Sequence, residues 1–148
     1  MIWFTSDLHL NHANIIKYTK SRHHFNKMDP VAFAALLPDA QKAYLRSECV
    51  PEMNKAIIEN FNACVKPEDE VYILGDVCFG GDVEGFLRQL HGKKYLIIGN
   101  HDKRHLKKVY KTSTEFLWIR DYYSLRFVCP ITHQPQMAVM SHYPFAVW

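Results

Sequence analysis

The sequence predicts an α/β fold with a largely parallel β-sheet. Three apolar runs rich in strand-forming residues lie at Ile2 to Thr5, Val71 to Leu74 and Tyr95 to Ile98. Each run is too short for a helix and lacks polar alternation, which is typical of strands buried on both faces. Helical patterns separate the runs, and this alternation of strand and helix predicts that the strands join one parallel sheet.

The helical patterns follow the strands in order. They cover Ala13 to Tyr18, Pro51 to Cys64 and Val83 to Leu90. In the longest of them, apolar residues recur every three or four positions and so lie on one face. The stretch from Asp29 to Arg46 also has a helical pattern with proline in its first turn. We interpret the region around residues 26 to 50 as a helical insertion.

A strand pair is predicted late in the chain. Tyr122 to Val128 and Met137 to Ser141 are separated by Pro130 and a polar turn from His133 to Pro135. The chain has 148 residues with 48% hydrophobic composition, which is enough for one domain with a real core. We see no repeat or linker, so residues 1 to 148 are predicted to form a single domain.

The composition favours a soluble protein that acts on an anionic partner. The N-terminus lacks the pattern of a secretory signal, and no apolar run has the length of a membrane span. We therefore predict a cytoplasmic protein with no membrane partner. The four cysteines have no paired spacing and are expected to be buried, reduced thiols. A net charge of +3 suits a phosphorylated substrate but is low for a dedicated nucleic-acid binder.

Each of the three buried strands is followed by a polar motif. The motifs are Asp7-Leu8-His9, Gly75-Asp76 and Gly99-Asn100-His101-Asp102. Ligands of α/β proteins bind beyond the carboxyl ends of parallel strands, so these carboxylates, imidazoles and amides are expected to converge. The Asp-x-His pattern is weak evidence alone, whereas the tetrapeptide is rare by chance.

These motifs, together with Ser141-His142-Tyr143-Pro144, resemble the calcineurin-like metallophosphoesterase superfamily. The likeness is greatest to its small bacterial and phage members, in which a leading segment like Trp3 to Ile16 is typical. The resemblance spans residues 1 to 144 apart from the helical insertion. It implies a sandwich of two mixed sheets flanked by helices, and it implies hydrolysis of phosphate esters.

The resemblance also implies a set of metal ligands. Asp7 and His9 would bind one metal, Asp76 would bridge both metals, and Asn100 and His142 would bind the second. Mixed carboxylate, imidazole and amide donors suit borderline divalent ions. We favour Mn²⁺, with Fe²⁺, Zn²⁺ and Ni²⁺ as alternatives.

The family mechanism supplies roles for the neighbouring residues. Two ions about 4 Å apart would share a bridging hydroxide that attacks the phosphorus. His101 would protonate the leaving group, and Asp102 would orient its ring. His12 and Arg22 are candidates for binding the substrate phosphate, although His12 is as well explained by capping the following helix or facing solvent.

Two further features have competing interpretations. Cys78 is either a soft metal ligand or a packing thiol, and packing is favoured. A run of basic residues forms either a rim that attracts phosphorylated substrates or a solvated helix face, which is the favoured interpretation. The run consists of Lys103, Arg104, Lys107, Lys108 and Lys111.

One part of the family pattern is absent. The family normally has a later Gly-His-x-His motif whose histidines complete the two metal sites, and no histidine follows His142 here. A shortened chain, replacement by water or a neighbouring subunit, and a degenerate non-catalytic member are the three explanations. We favour the first, with the C-terminal part of the domain missing, and the apolar ending Phe145 to Trp148 then predicts self-association.

The predicted function is hydrolysis of a phosphodiester or phosphomonoester, and the substrate could be a nucleotide. The first alternative is a non-catalytic binding scaffold on the same fold, but a scaffold has no need for His101. The second is a nuclease acting on nucleic acid strands. It is less favoured because the aromatic residues lie mostly in apolar runs instead of beside a basic groove.

Overall fold

A four-stranded parallel sheet forms the centre of the molecule. The computed structural model describes residues 1–105, 109–110 and 112–145. The strands are β1 (Ile2–Thr5), β2 (Glu70–Leu74), β3 (Lys93–Ile97) and β4 (Phe116–Arg120), in the spatial order β1-β2-β3-β4. All neighbouring pairs are parallel, so the predicted α/β class and the three predicted strands are confirmed.

A second sheet packs against one face of the first. It is the antiparallel hairpin of β5 (Tyr122–Val128) and β6 (Pro135–Ser141), in register from Tyr122–Ser141 to Val128–Pro135. Buried Tyr72 and Ile97 of the parallel sheet share an apolar cluster with Leu125 and Met140 of the hairpin. The predicted two-sheet sandwich is therefore confirmed. Within the described residues, however, each sheet is uniform in direction where mixed sheets were expected.

Helices cover the other face of the parallel sheet and one side of the molecule. The helical elements are α1 (Ile15–Tyr18), a 3₁₀ helix (Lys20–Phe25), α2 (Pro30–Ala35), α3 (Pro38–Tyr44), a π-helix (Leu45–Cys49), α4 (Val50–Cys64), α5 (Val83–Gln89) and α6 (Lys103–His105). Partly buried residues of α4 and buried residues of α5 pack on the apolar core of the sheet, which includes Val71, Ile73 and Leu96.

The region around residues 26 to 50 is helical, as predicted, and contains α2, α3 and the π-helix, which runs directly into α4. Asp29 caps α2, because its carboxylate accepts the backbone N–H groups of Val31 and Ala32 at 3.0 Å each. The π-helix ends two residues before Pro51, whose ring has no N–H to donate and crowds the carbonyl four residues earlier. The wider π turn accommodates this proline.

Several elements differ from the sequence prediction. Strand β4 was not predicted, because only part of it is buried at the edge of the sheet and it shows neither alternation nor a continuous buried run. The 3₁₀ helix was not predicted, and α1 begins at Ile15 where Ala13 was expected. Pro135, placed in a turn by the sequence, is the first residue of β6, a position that proline tolerates.

The remaining sequence predictions have mixed outcomes. Cys49 and Cys78 are buried as expected, whereas Cys64 is exposed and Cys129 is partly exposed, and all four are free thiols. Among the described helices, none combines the length and apolar character needed to cross a membrane. Three residues of the predicted basic run, Lys107, Lys108 and Lys111, lie outside the described residues, as do residues 146 to 148 of the apolar ending.

Candidate metal centre

The loops after β1 and β2 stay paired beyond the ends of their strands. The Asp7 N–H donates to the Gly75 carbonyl at 3.0 Å, and the His9 N–H donates to the Asp76 carbonyl at 2.9 Å. These bonds continue the parallel ladder into the two motifs. The predicted convergence of Asp7, His9 and Asp76 at the carboxyl end of the sheet is therefore present.

The first motif has an unusual backbone that separates polar from apolar side chains. Asp7, His9 and Asn11 have positive φ angles of 54°, 49° and 60°, and the intervening Leu8 and Leu10 are buried. Aspartate, histidine and asparagine are the non-glycine residues found most often in this left-handed region. The alternation directs both leucines into the core, while Asp7 and His9 face Asp76.

Asp76 lies at the centre of the converging side chains. Its side chain is 6% exposed. Its Oδ2 atom lies 3.7 Å from His9 Nε2 and 3.8 Å from His101 Nε2, while its Oδ1 atom lies 3.8 Å from His142 Nε2. One oxygen of the carboxylate thus faces His9 and His101 and the other faces His142, which gives Asp76 a first side at Oδ2 and a second side at Oδ1.

The first side holds a group of atoms suited to a cation. Atoms of Asp7, His9 and Asp76 lie within 4.8 Å of one another, and the Asp7 Oδ1 to His9 Nε2 distance is 3.4 Å. The His9 Nδ1 atom lies 3.0 Å from His12 Nδ1, so Nε2 is the nitrogen that faces the carboxylates. Burial lowers the pKa of His9, although Asp76 and Asp7 act in the opposite direction. A neutral imidazole is the form that binds metals.

The second side combines an imidazole with an amide oxygen. His142 donates from Nδ1–H to the Leu74 carbonyl at 2.8 Å, which leaves Nε2 as the acceptor nitrogen of the neutral ring. Nε2 lies 2.9 Å from Asn100 Oδ1. An acceptor nitrogen that faces two oxygens is a suitable donor set for a cation, and a fixed N–H on the far side of the ring is the usual support of a ligating histidine.

Two glycines permit the close approach of β2 and β3 at this point. A Cβ on Gly75, whose φ is +86°, would lie 2.5 Å from His142 Nδ1 and 2.7 Å from the Gly99 Cα. A Cβ on Gly99 would lie 2.7 Å from the Asp76 backbone nitrogen and would collide with its carboxylate. Glycine is required at both positions. At Gly99 the requirement comes from the close contacts that a Cβ would make with Asp76, and not from a positive φ.

His101 borders the centre and reaches solvent. Its backbone N–H donates to Asp76 Oδ1 at 3.0 Å, and 35% of its side chain is exposed. Its ring packs against Phe79 with 4.4 Å between ring centroids. The ring is thus held at the side of the centre that is open to solvent.

Asp102 does not make the contact that the resemblance implied. The residue is fully buried, and its Oδ2 atom accepts the backbone N–H groups of Asp76 and Gly99 at 2.8 Å each. Its Oδ1 atom accepts the Val77 N–H at 3.1 Å and the Tyr110 hydroxyl at 3.3 Å. The carboxylate thus ties the β2 and β3 loops together, and among the described residues its contacts do not include the His101 ring.

His12 and Arg22 both lie against the first side of the centre. The His12 ring stacks on Phe79 at 3.6 Å between centroids, and burial lowers its pKa to about 4, assisted by His9 and His101. It does not cap α1. Arg22 donates to the Asp7 carbonyl at 3.0 Å and contacts Met53 Sδ, and burial lowers its pKa.

Cys78 is a packing thiol in the structure, as the sequence analysis favoured. It is 1% exposed, its Sγ atom contacts the Gly80 carbonyl, and burial raises its pKa to about 12. The buried position and the contact with the Gly80 carbonyl agree with a packing role.

Several residues around the centre were missed by the sequence analysis. Phe79 forms an aromatic wall with His12 and His101, and buried Asn54 of α4 accepts the Asn11 N–H at 2.9 Å. Phe79 gave no signal, since a single aromatic residue after a motif is not distinctive. Asn54 did give one, because it is a polar residue on the apolar face of α4, three and four positions before Ile57 and Ile58.

Comparison with known proteins gives consistent matches. The model of the calcineurin-like phosphoesterase family matches residues 1–145. An uncharacterised protein of Methanocaldococcus jannaschii is 36% identical over 106 residues, which cover 69% of this chain and 47% of its own length. The gene 66 protein of Mycobacterium phage D29 is 29% identical over 154 residues, which cover 97% of this chain and 64% of its own length.

The fold also resembles a solved structure, that of a protein of unknown function from Aquifex aeolicus. The TM-score is 0.56 with 25% sequence identity, over 97% of this chain and 61% of that chain. The chain therefore spans between 47% and 64% of the length of these three proteins. Their names state no activity or substrate.

Proposed function

Since the chain belongs to the calcineurin-like phosphoesterase family, we propose that it hydrolyses phosphate esters at a centre of two divalent cations. The observation that carries this proposal is the position of Asp76. Its two oxygens face His9 on one side and His142 on the other, at 3.7 and 3.8 Å. A buried carboxylate shared by two donor sets suits a pair of cations, which would also neutralise its charge.

The proposed ligands divide into two sets that meet at Asp76. Asp7 and His9 would hold one ion, and Asn100 and His142 would hold the other. The donors are oxygen and imidazole nitrogen, a set that suits Mn²⁺, Fe²⁺, Zn²⁺ or Ni²⁺, and we propose Mn²⁺. When bound, such a pair lowers the pKa of water to give a nucleophile and offsets negative charge on the phosphoryl oxygens.

The remaining residues position the substrate and move the proton. The partly exposed His101 ring would donate a proton to the leaving oxygen, because it lies beside Asp76 and faces solvent. The Arg22 guanidinium, held by the Asp7 carbonyl, would attract the substrate phosphate toward the first set of ligands. His12 would act as a positioning residue, since its ring contacts both His9 and Phe79.

Metal analysis combined with a phosphoesterase assay tests this function. The chain is stripped with a chelator and dialysed against Mn²⁺ or Zn²⁺, and bound metal is measured per chain. Hydrolysis of bis(p-nitrophenyl) phosphate and of p-nitrophenyl phosphate is then followed, with Asp76→Asn as the matched control. We expect metal binding and hydrolysis that both fall in the control.

Each alternative has its own outcome in this experiment. Metal binding without hydrolysis of either substrate would refute catalysis and favour the non-catalytic scaffold. Metal binding equal to that of Asp76→Asn would refute the proposed centre itself. Much faster cleavage of single-stranded oligonucleotides than of either small ester would favour the strand nuclease.

A further inference from the structure

A recess lined by basic residues opens beside the candidate metal centre. It has a volume of about 280 Å³, and its lining includes the side chains of Lys42, Arg46 and Arg104. Asn14 contributes to the same lining, and the inner wall is formed by His12 and Phe79. We call this feature the basic recess.

The three cations of the basic recess come from separate parts of the chain. Lys42 belongs to α3, Arg46 to the π-helix and Arg104 to α6. No carboxylate lies within ion-pairing distance of any of them in the part of the chain that the structure describes. Folding has therefore brought three exposed cations to one recess without a carboxylate partner, which gives the recess a positive potential that would attract an anion.

The basic recess and the candidate metal centre share a wall. His12, which lines the recess, has its Nδ1 atom 3.0 Å from His9 Nδ1. Phe79, also in the lining, stacks on His12 and lies 4.4 Å from the His101 ring between centroids. The Arg104 guanidinium lies 5.9 Å from the Phe79 centroid. A molecule with one group at the metal centre could therefore reach the recess with another.

We propose that the basic recess binds a second, terminal phosphate of the substrate, so that the substrate carries two phosphate groups. This inference rests on the proposed function. A terminal phosphate monoester has a charge of about −1.5 to −2 near neutral pH, which suits three cations better than the single charge of an internal diester. The guanidinium groups of Arg46 and Arg104 can each donate two parallel hydrogen bonds to it.

The size of the recess also favours one phosphate over a nucleic acid strand. Its volume is about 280 Å³. That space admits a phosphate with part of its linker. A strand would need a longer groove with repeated phosphate contacts and exposed aromatic platforms.

The inference assigns a function to the helical insertion. Lys42 and Arg46 both lie within residues 26 to 50, so the segment would select the substrate, while the strand-end motifs perform the chemistry. It also gives Arg104 a role that differs from the solvated helix face favoured by its sequence, because its side chain lines the recess and lies over Phe79.

Two substrates that differ only in a second phosphate test the inference. The first is thymidine 5′-(p-nitrophenyl phosphate), and the second is the same ester with a 3′-phosphate. The measured quantity is the ratio of their kcat/KM values, in which any loss of active protein cancels. We expect the 3′-phosphate to raise kcat/KM by about 10- to 100-fold, the scale of a hydrogen bond to a charged group.

Variants then assign the effect to the recess. Arg46→Gln and Arg104→Gln should each reduce the 3′-phosphate advantage by about tenfold. The matched control is Lys66→Gln, which removes one positive charge from the exposed turn before β2, at the opposite end of the sheet. Its ratio should equal that of the wild type. An unchanged ratio in both arginine variants, or no advantage in the wild type, would overturn the inference.

A binding measurement separates this inference from the proposed function. With chelator present, calorimetry compares thymidine 3′-monophosphate with thymidine on the wild type and on Arg46→Gln. Tighter binding of the 3′-monophosphate than of thymidine by the wild type, with this difference lost in Arg46→Gln, would support the recess even if no ester were hydrolysed, in which case only the proposed function would fail. An internal 3′-diester that gained as much as the terminal phosphate would refute the terminal group and favour a strand.

Discussion

Replacement of Asp102 by asparagine tests whether this residue holds the loops after β2 and β3 together. The buried carboxylate accepts four hydrogen bonds, two at each oxygen, from Asp76, Gly99, Val77 and Tyr110. An asparagine has one acceptor oxygen, and its amide group is a donor. With the NH₂ group at the Oδ2 position, the N–H groups of Asp76 and Gly99 would both lose their partner. In the other orientation only the Val77 N–H would lose its partner, because the Tyr110 hydroxyl can turn and accept from the NH₂ group.

The magnitude follows from these contacts. A hydrogen bond to a charged group contributes about 1.5–3 kcal/mol, so the loss of at least one predicts destabilisation by about 1.5–3 kcal/mol or more. Such a loss is a large fraction of the roughly 5–15 kcal/mol that stabilises a typical domain. Because Asp102 joins the loops that carry Asp76 and Asn100, affinity for Mn²⁺ should fall with stability.

Urea unfolding, with calorimetric titration of Mn²⁺, measures both effects. The matched control is Asp82→Asn, since Asp82 is exposed and caps α5 through the Gly85 N–H at 2.8 Å. Asparagine caps helices about as well as aspartate, so this variant should unfold within about 0.5 kcal/mol of the wild type. If Asp102→Asn were as stable as the wild type and lost only turnover, the reasoning would be refuted, and a role in orienting His101 would be favoured.

Three further substitutions probe the candidate centre. Asp76→Asn should remove nearly all activity, because an amide cannot bridge two cations as a carboxylate does, and more than a tenth of wild-type turnover would contradict the bridge. His101→Gln should spare metal content but lower turnover by about 10² to 10⁴. The loss should be smaller for esters with good leaving groups, which need little protonation. Equal losses for nitrophenyl and alkyl esters would indicate a structural role for His101. Gly99→Ala should weaken Mn²⁺ binding in a calorimetric titration, because its Cβ would lie 2.7 Å from the Asp76 backbone nitrogen, and unchanged affinity would mean that the loops can move apart.

The strands that could be predicted from sequence are those in which burial leaves a local pattern. β2 is buried over most of its length, and its apolar run Val71 to Leu74 reports this directly. β4 lies at the sheet edge with Leu117 largely exposed, so its sequence carries no comparable pattern. What defines β4 as a strand is its pairing with β3, a tertiary contact that the local sequence does not encode.

The candidate site could be predicted as far as its residues follow strand ends. Asp7, Asp76 and Asn100 do so, and the parallel sheet then brings them together. Phe79, Lys42 and Arg46 come near the centre through the packing of helices and loops, so nothing in their local sequence marked them. For Asp102 the sequence was misleading. Its position next to His101 suggested that it orients the His101 ring, yet its side chain is buried in the core.

The alternation of polar and apolar residues in the first motif follows from its backbone conformation, which the sequence alone did not reveal. Asp7, His9 and Asn11 all have positive φ, and Leu8 and Leu10 between them are buried. Left-handed residues other than glycine cost about 1–3 kcal/mol each, least for small polar side chains that bond locally. The cost is offset by burial of the two leucines and by the backbone hydrogen bonds to Gly75 and Asp76.

The same geometry accounts for the choice of residues. A side chain at positions 7 or 9 must tolerate a left-handed backbone and also offer an oxygen or nitrogen to Asp76. Aspartate and histidine satisfy both requirements, whereas glutamate, a common metal ligand, is not among the residues enriched there. Asp76 itself has a φ of 55° and meets the same condition. The backbone of the sheet end and the chemistry of the centre therefore select the same residue types, which is why a short Asp-x-His pattern after a strand carries more information than its length suggests.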